Sequence, residues 1–278
     1  MLGDSVLCWG VQERLEPVIV KAEMNVMGED QRCRAQKISY VPEWPPEKFT
    51  VPLLGRRIPE LFHEFGLPPR GEARALDAGC GMQPFRPIIE AGGYTYTGLD
   101  VVQNRAGTVD LVSTLDGIRS KQWCEVGLFD FILCTEVLEH VAGWEGAFEN
   151  IAASLAPRGR VLITCPHFYP LHEVPFDFWR PTPYAVEHFA LSNALKVIHL
   201  EMAGGPWEVL GTLLAETHCY PMTNRLMDRI VAKCGRAVRG LVNCWLQSDW
   251  VRARALLRGP YFLSVYAVLE KTDTGAQT

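Results

Sequence analysis

Residues 76–85, LDAGCGMQPF, carry the first group of residues whose types and spacing suit chemistry. An apolar run ends at Asp77. Gly79 and Gly81 then let the backbone turn tightly and approach a ligand, and the helix expected next would offer unpaired amides at its positive end. Asp100 lies twenty-one residues beyond Gly79, at the end of a second apolar run. A carboxylate at that spacing is placed to accept hydrogen bonds from ribose hydroxyls. Together they predict an adenosine-type ligand at the carboxyl edge of a parallel sheet. Gln83 and Pro84 stand where a dinucleotide loop would have its third glycine, which disfavours close packing around a pyrophosphate.

These residues need a scaffold, and the pattern supplies one. RALDAG (74–79), YTYTGLD (94–100), TVDLV (108–112), FDFILCT (129–135), RVLITC (160–165), ALKVIHLEM (194–202) and YFLSVYAVLEK (261–271) read as strands. IPELFHEF (58–65), FRPIIEAG (85–92) and WEGAFENIAASLA (144–156) read as helices. Short strands alternating with helices predict a parallel sheet covered on both faces, an α/β fold. Residues 1–57 read as an irregular N-terminal extension. They hold a basic cluster at Arg32, Arg34 and Lys37, and Pro42, Pro45, Pro46 and Pro52 break any long helix. Residues 58–271 are expected to form the main domain, and 272–278 a disordered tail.

Composition excludes several classes. The chain of 278 residues is 48% hydrophobic and 21% charged, an ordinary globular balance in which one core needs no disulfides. A net charge of −5 argues against a surface built for nucleic acid. No apolar run is long enough for a membrane span, and the first residues lack the basic region of a signal peptide. Nine singly spaced cysteines suit buried thiols in a reducing cytoplasm.

The order LDAGCG, YTGLD, FDFILCTEVLEHV (129–141) and LAPRGRVLITCP (155–166) resembles the class I S-adenosylmethionine-dependent methyltransferases. PHFYPLHEVPFDFWRPTPYAVEHF (166–189) is similar to a type-11 branch of that family, often found with glycan or natural-product biosynthesis. The resemblance covers about residues 70–205. It implies a Rossmann-like, mostly parallel seven-stranded sheet with an antiparallel last strand, and S-adenosylmethionine as cofactor. It assigns Asp77, Gly79, Cys80 and Gly81 to the amino-acid end of that cofactor, Asp100 to the ribose, and Val101 to the adenine. Relatives meet the adenine amine with an acidic residue after the third strand. Here the stretch reads Ser113, Thr114, Leu115, leaving Thr114 as the hydrogen-bonding side chain beside Leu115. Thr135 and Glu136 would border the sulfonium. Pro157-Arg158-Gly159 replaces a Pro-Gly-Gly turn, which a negative φ at Arg158 would accommodate.

Methyl transfer to an alcohol also needs a base, most often histidine. His172, oriented by Asp177, is the first candidate and His167 the second; both histidines follow the fifth strand on a proline-rich loop. Arg180 could hold an anionic substrate group or pair internally with Asp177 or Glu173, the internal pair being favoured. His140, expected on a helix one turn beyond Glu136, and Tyr169 and Trp179 are the remaining acceptor-pocket candidates. His167, His172, Glu173 and Asp177 include metal-ligand types without a spacing specific to any metal, so no metal site is assigned. Cys134-Thr135-Glu136-Val137 stands where nucleobase amine methyltransferases have a D-P-P-Y-like motif, which argues against that chemistry.

Residues 206–259 exceed any usual connection between strands. Leu226, Ile230, Cys234, Val238, Leu241 and Trp245 recur at helical spacing, and 222–258 carries eight Arg or Lys against two Asp. This inserted helical segment is expected to pack as a lid over the acceptor site; a basic amphipathic surface for anionic lipid or a lipid-linked substrate and a homodimer interface are the other readings. The expected function is O-methylation of a sugar or secondary-metabolite hydroxyl, a small-molecule acceptor. A noncatalytic methyltransferase-like binding protein and an NAD-linked oxidoreductase are the alternatives.

Overall fold

The computed structural model describes residues 41–66, 71–217, 220–254 and 259–272. The basic cluster at Arg32, Arg34 and Lys37, the rest of 1–40, and 273–278 of the expected tail lie outside them. Helix α1 (Glu47–Phe65) leads into β1 (Arg74–Ala78), α2 (Arg86–Ala91), β2 (Thr95–Asp100), β3 (Leu111–Val112), α3 (Lys121–Val126) and β4 (Phe129–Thr135). A short 3-10 turn (Leu138–His140), α4 (Trp144–Ser154), β5 (Leu155–Pro166), α5 (Pro183–Ser192) and β6 (Leu195–Ala203) follow. Then come α6 (Pro206–Glu216), α7 (Leu226–Gln247), α8 (Asp249–Arg252) and β7 (Ser264–Lys271).

The seven strands form one sheet in the order β3-β2-β1-β4-β5-β7-β6. All neighbours pair parallel except β7, which runs antiparallel to both β5 and β6. The expected α/β fold with an antiparallel last strand is therefore the observed one. Period-two alternation divides the core: in β4, Ile132 and Cys134 pack into the cluster with Trp123 and Phe148, while Phe131 and Leu133 face Leu54, Ile58 and Leu61 of α1. Neighbouring residues pointing to opposite buried faces is the signature of a sheet covered twice. The order reverses at β1/β4, so the loops after β1 and β4 open a crevice at the carboxyl edge.

Two expectations are corrected here. The segment 41–57 is not wholly irregular, because α1 begins at Glu47 and runs through Pro52 and Pro59. Phe49, Thr50, Leu54, Ile58 and Leu61 give it a buried stripe at helical spacing, while Pro52 is exposed. The carbonyl a proline leaves unbonded on that side can face water, so packing outweighs the break. At the Pro157-Arg158-Gly159 turn, Arg158 has φ +61°, the left-handed region, instead of a negative φ. The turn keeps the glycine geometry without the glycine, at a cost of about 1 kcal/mol. Helices α3 and α5, not expected from periodicity, are nucleated by caps: the Ser120 hydroxyl accepts the Trp123 amide and Thr182 that of Ala185.

Helices α6 and α7 pack away from the crevice, with Phe49 of α1, Trp207, Leu246 and Leu263 as their shared cluster. A Cβ on Gly211 would sit 2.3 Å from the Phe49 ring, so only glycine permits this approach of α6 to α1.

Candidate active site

A cavity of about 410 Å³ opens at the crevice, a size typical of small-molecule sites. Its floor is the strand ends: Asp77, Gly79, Cys80 and Gly81 after β1, Asp100, Val101 and Val102 after β2, and Thr135 and Glu136 after β4. The loop after β3 adds Ser113 and Leu115. Thr114, expected as the adenine contact, is exposed and does not line the cavity; the two residues flanking it do. In an extended segment, alternate residues face the same side, so the hydroxyl available here is that of Ser113.

Glycine makes the cradle possible. Gly79 has φ +78°, and a Cβ there would meet Val137 at 2.1 Å. The Gly79 and Cys80 amides donate to the Leu99 carbonyl at 2.7 and 2.9 Å, tying the turn to β2. Asp100 Oδ2 accepts the Gly81 amide at 2.9 Å, and its Oδ1 accepts that of Val102 at 3.3 Å. Gln83, with φ +61°, anchors the turn by donating to the Thr108 carbonyl at 2.7 Å. Gln83 thus closes the turn from outside the cradle, while Pro84 lines the cavity beside it.

The charges of the floor are buried. Burial pushes the Asp77 carboxyl up to about 7, against the opposing hydrogen bond that its Oδ2 accepts from the Tyr96 hydroxyl at 2.7 Å. Burial likewise raises Glu136 to about 7, although the Thr164 hydroxyl donates to its Oε1 at 2.9 Å. Since Thr164 donates there, the Thr135 hydroxyl, 2.6 Å from the Thr164 hydroxyl oxygen, is the donor in that contact. Burial also pushes the Cys80 thiol up, so it is no nucleophile.

The far wall comes from the loop after β5, the 3-10 turn and α1. Tyr169, His172, Glu173 and Phe176, then Glu139 and His140, then Trp44, Glu47, Thr50, Val51 and Leu54 complete the lining. His172 faces the cavity, and burial lowers its imidazole to about 4, with His140 as the next contributor, so the ring is neutral at pH 7. Asp177 lies behind it: its Oδ2 accepts the His172 amide at 3.0 Å and sits 3.4 Å from Nδ1. Burial alone would raise Asp177, but the Arg180 guanidinium and that amide hold it below its ordinary value. Arg180 forks onto Asp177 at 2.6 and 2.7 Å and also reaches the Tyr169 and Pro170 carbonyls. It is a loop staple, the internal pair favoured from sequence.

Three expected placements differ. His167 stacks on Phe262 with ring centroids 4.1 Å apart and bonds the Pro181 carbonyl, away from the lining. Trp179 donates its indole N–H to the Val141 carbonyl at 2.9 Å and also lies outside the lining. His140 does line the cavity, but not on a helix shared with Glu136: Glu136 has φ +52° and only Leu138–His140 is helical. Missed altogether were Glu139 and the start of α1. Glu139 stood in plain view within EVLEH; α1 was hidden by its prolines. None of the described residues of 206–259 lines the cavity, whose roof is α1 and the loop after β5.

A family model described as a methyltransferase domain matches residues 53–238. Ubiquinone biosynthesis O-methyltransferases of Rickettsia felis and Rickettsia conorii are 27% and 25% identical over 101 and 96 residues. Each match takes in 32% of this chain, and the chain spans 39% and 33% of those relatives' lengths. Among solved structures, one from Galdieria sulphuraria, provisionally assigned as a sarcosine dimethylglycine methyltransferase, superposes with TM-score 0.50 at 18% identity. It covers 86% of this chain and 93% of its own.

Proposed function

The chain belongs to the methyltransferase-domain family, and on that premise we propose that it moves the methyl group of S-adenosylmethionine onto a hydroxyl of a small molecule, a sugar or secondary metabolite. S-adenosylmethionine supplies a methyl on a sulfonium sulfur, which leaves as a thioether keeping the C–S electron pair. The glycine cradle, Asp100 and Leu115 would hold it, and Asp77 and Glu136 would offset its positive charge. Displacement is in line, so the protein's main task is alignment. His172 Nε2 accepts the proton given up by the acceptor hydroxyl, freeing the oxygen pair to form the new bond. The observation carrying this reading is the neutral His172 imidazole facing the cavity with its Nδ1 fixed by the Pro170 carbonyl at 3.2 Å. The O-methyltransferase names of the relatives support oxygen as the acceptor atom.

The test is a panel of sugars, phenols and amines assayed for S-adenosylhomocysteine. Turnover is expected with hydroxyl acceptors, and His172→Gln should lower it roughly 100-fold or more. Methyl recovered only on nitrogen or carbon would overturn the reading.

A second reading concerns α7. Its apolar stripe faces solvent: Leu226, Met227, Ile230, Val231, Val238 and Leu241 are exposed, while the small Ala232 is buried against the domain. Arg229, Lys233 and Arg236 border that stripe, and Asp228 is the helix's one acidic residue. Apolar side chains flanked by cations fit the surface of an anionic bilayer, each basic residue near it contributing about 1 kcal/mol. No described helix is long and apolar enough to cross a membrane. Co-sedimentation with phosphatidylglycerol-containing vesicles should fall with salt and vanish in Ile230→Glu/Leu241→Glu. A concentration-dependent dimer with no vesicle binding would assign the stripe to a second copy instead.

A further inference from the structure

Three lone-pair atoms converge on one spot in the cavity wall. Glu139 is fully buried, and its Oε1 has no hydrogen-bond partner. His140 Nε2 lies 3.7 Å and His172 Nε2 4.0 Å from that oxygen. The three ligand atoms all fall within 4.8 Å of one another. The tautomers follow from the other side of each ring. His140 Nδ1 is 2.7 Å from the Phe176 carbonyl and His172 Nδ1 3.2 Å from that of Pro170. A carbonyl only accepts, so in the neutral form of either ring Nδ1 carries the proton and Nε2 presents its lone pair. A buried carboxyl oxygen left without a hydrogen-bond partner beside two imidazole nitrogens is an arrangement a buried site tolerates poorly.

We propose that Glu139, His140 and His172 bind a divalent transition-metal ion, of the zinc, manganese or cobalt type, whose remaining positions face the cavity. Two imidazoles and one carboxylate are a common ligand set for such ions, and softer or harder cations prefer thiolates or all-oxygen cages. The carbonyls on both Nδ1 atoms are the outer contacts that orient metal-binding histidines. The two separations from Glu139 Oε1, 3.7 and 4.0 Å, are a few tenths of an ångström wider than ligand atoms about 2.1 Å from one ion would be, so binding requires the ligands to draw together.

This inference rests on the methyltransferase reading only for its consequence. With the ion bound, His172 serves as a ligand, and a hydroxyl beside the cation loses its proton to water because the cation lowers its pKa. Without the ion, His172 is the base. The acceptor class is then an alcohol or phenol able to approach a cation.

The experiment is equilibrium dialysis and visible absorption of the full chain with cobalt, then competition by zinc. One equivalent is expected, with an absorption band that zinc abolishes. Glu139→Gln, which keeps the buried shape, and His172→Ala, which alters only the loop, should each weaken binding roughly ten-fold or more. Retention of cobalt below one equivalent, or equal binding by both variants, would overturn the site. Binding without turnover of any hydroxyl acceptor would leave the site standing and sink the functional reading instead.

Discussion

Replacing Gly79 with alanine is expected to cost about 2–4 kcal/mol of stability and to abolish S-adenosylmethionine binding. The φ of +78° penalises any Cβ, and that Cβ would lie 2.1 Å from one methyl of Val137 and 3.1 Å from the other. Val137 cannot simply move off, because it packs on the core cluster that includes Leu138 and Trp144. The β1 turn must give way, pulling the Gly79 and Cys80 amides from the Leu99 carbonyl. Val137→Ala in the same chain removes both methyls and leaves the φ penalty. The double variant should therefore recover about 1–2 kcal/mol relative to the sum of the two single changes. Urea denaturation of the four proteins and calorimetric titration with S-adenosylmethionine measure both effects. A Gly79→Ala protein as stable as the parent and binding within two-fold would refute the argument.

That steric contact explains why the cofactor end was legible in the sequence. Gly79, Gly81 and Asp100 are dictated by backbone geometry at strand ends, and strands announce themselves locally through period-two apolar runs. The sheet needed little more: β4 matched its expected limits, and β7 was recognisable as a strand. Its reversed direction came only from the family resemblance, since periodicity carries no strand direction.

The acceptor end was not legible to the same degree, for a physical reason. It is assembled from pieces distant in sequence, and contact depends on how a loop folds over. Trp44, near the entrance to α1, meets Tyr169 with ring centroids 6.3 Å apart. Nothing in either stretch forecasts that pairing. Proline also misled: Pro52 reads as a helix breaker, yet a stripe from Phe49 to Leu61 carries α1 past it. In the loop, residue types pointed to chemistry at both His167 and His172. Only the fold separates them, sending one ring against Phe262 and the other to the cavity. Thr114 failed by a single residue of register, which in extended chain is enough to turn a side chain to the opposite face.

Asp77→Asn is expected to stabilise the free protein and weaken S-adenosylmethionine binding at pH 8. Burial raises the folded-state carboxyl to about 7, above its ordinary value of 3.8, and the charge of Asp100 adds to the rise. Between those values the folded chain holds a proton that the unfolded chain has released. Stability therefore falls as pH rises through this window, and the full cost remains above pH 7. At about 1.4 kcal/mol per pKa unit the upper bound is about 4 kcal/mol, and relaxation of the site leaves roughly 2 kcal/mol. An amide keeps an oxygen for the Tyr96 hydroxyl and has no charge to desolvate, so the variant should melt several degrees higher at pH 8 and nearly alike at pH 4. Cofactor binding moves oppositely, because a cationic ligand favours the ionised carboxylate. Below pH 7 the parent must expel the Asp77 proton to bind, so affinity should drop as pH falls. Titrations at pH 6 in buffers of different ionisation enthalpy should find about one proton fewer released per cofactor by the variant. Glu136, also raised to about 7, remains in the variant, so the difference between the proteins, not the variant's own slope, isolates Asp77. Equal proton release by the two proteins would remove Asp77 from the cofactor site, and an unchanged melting curve would show that its burial is not the cost inferred from its surroundings.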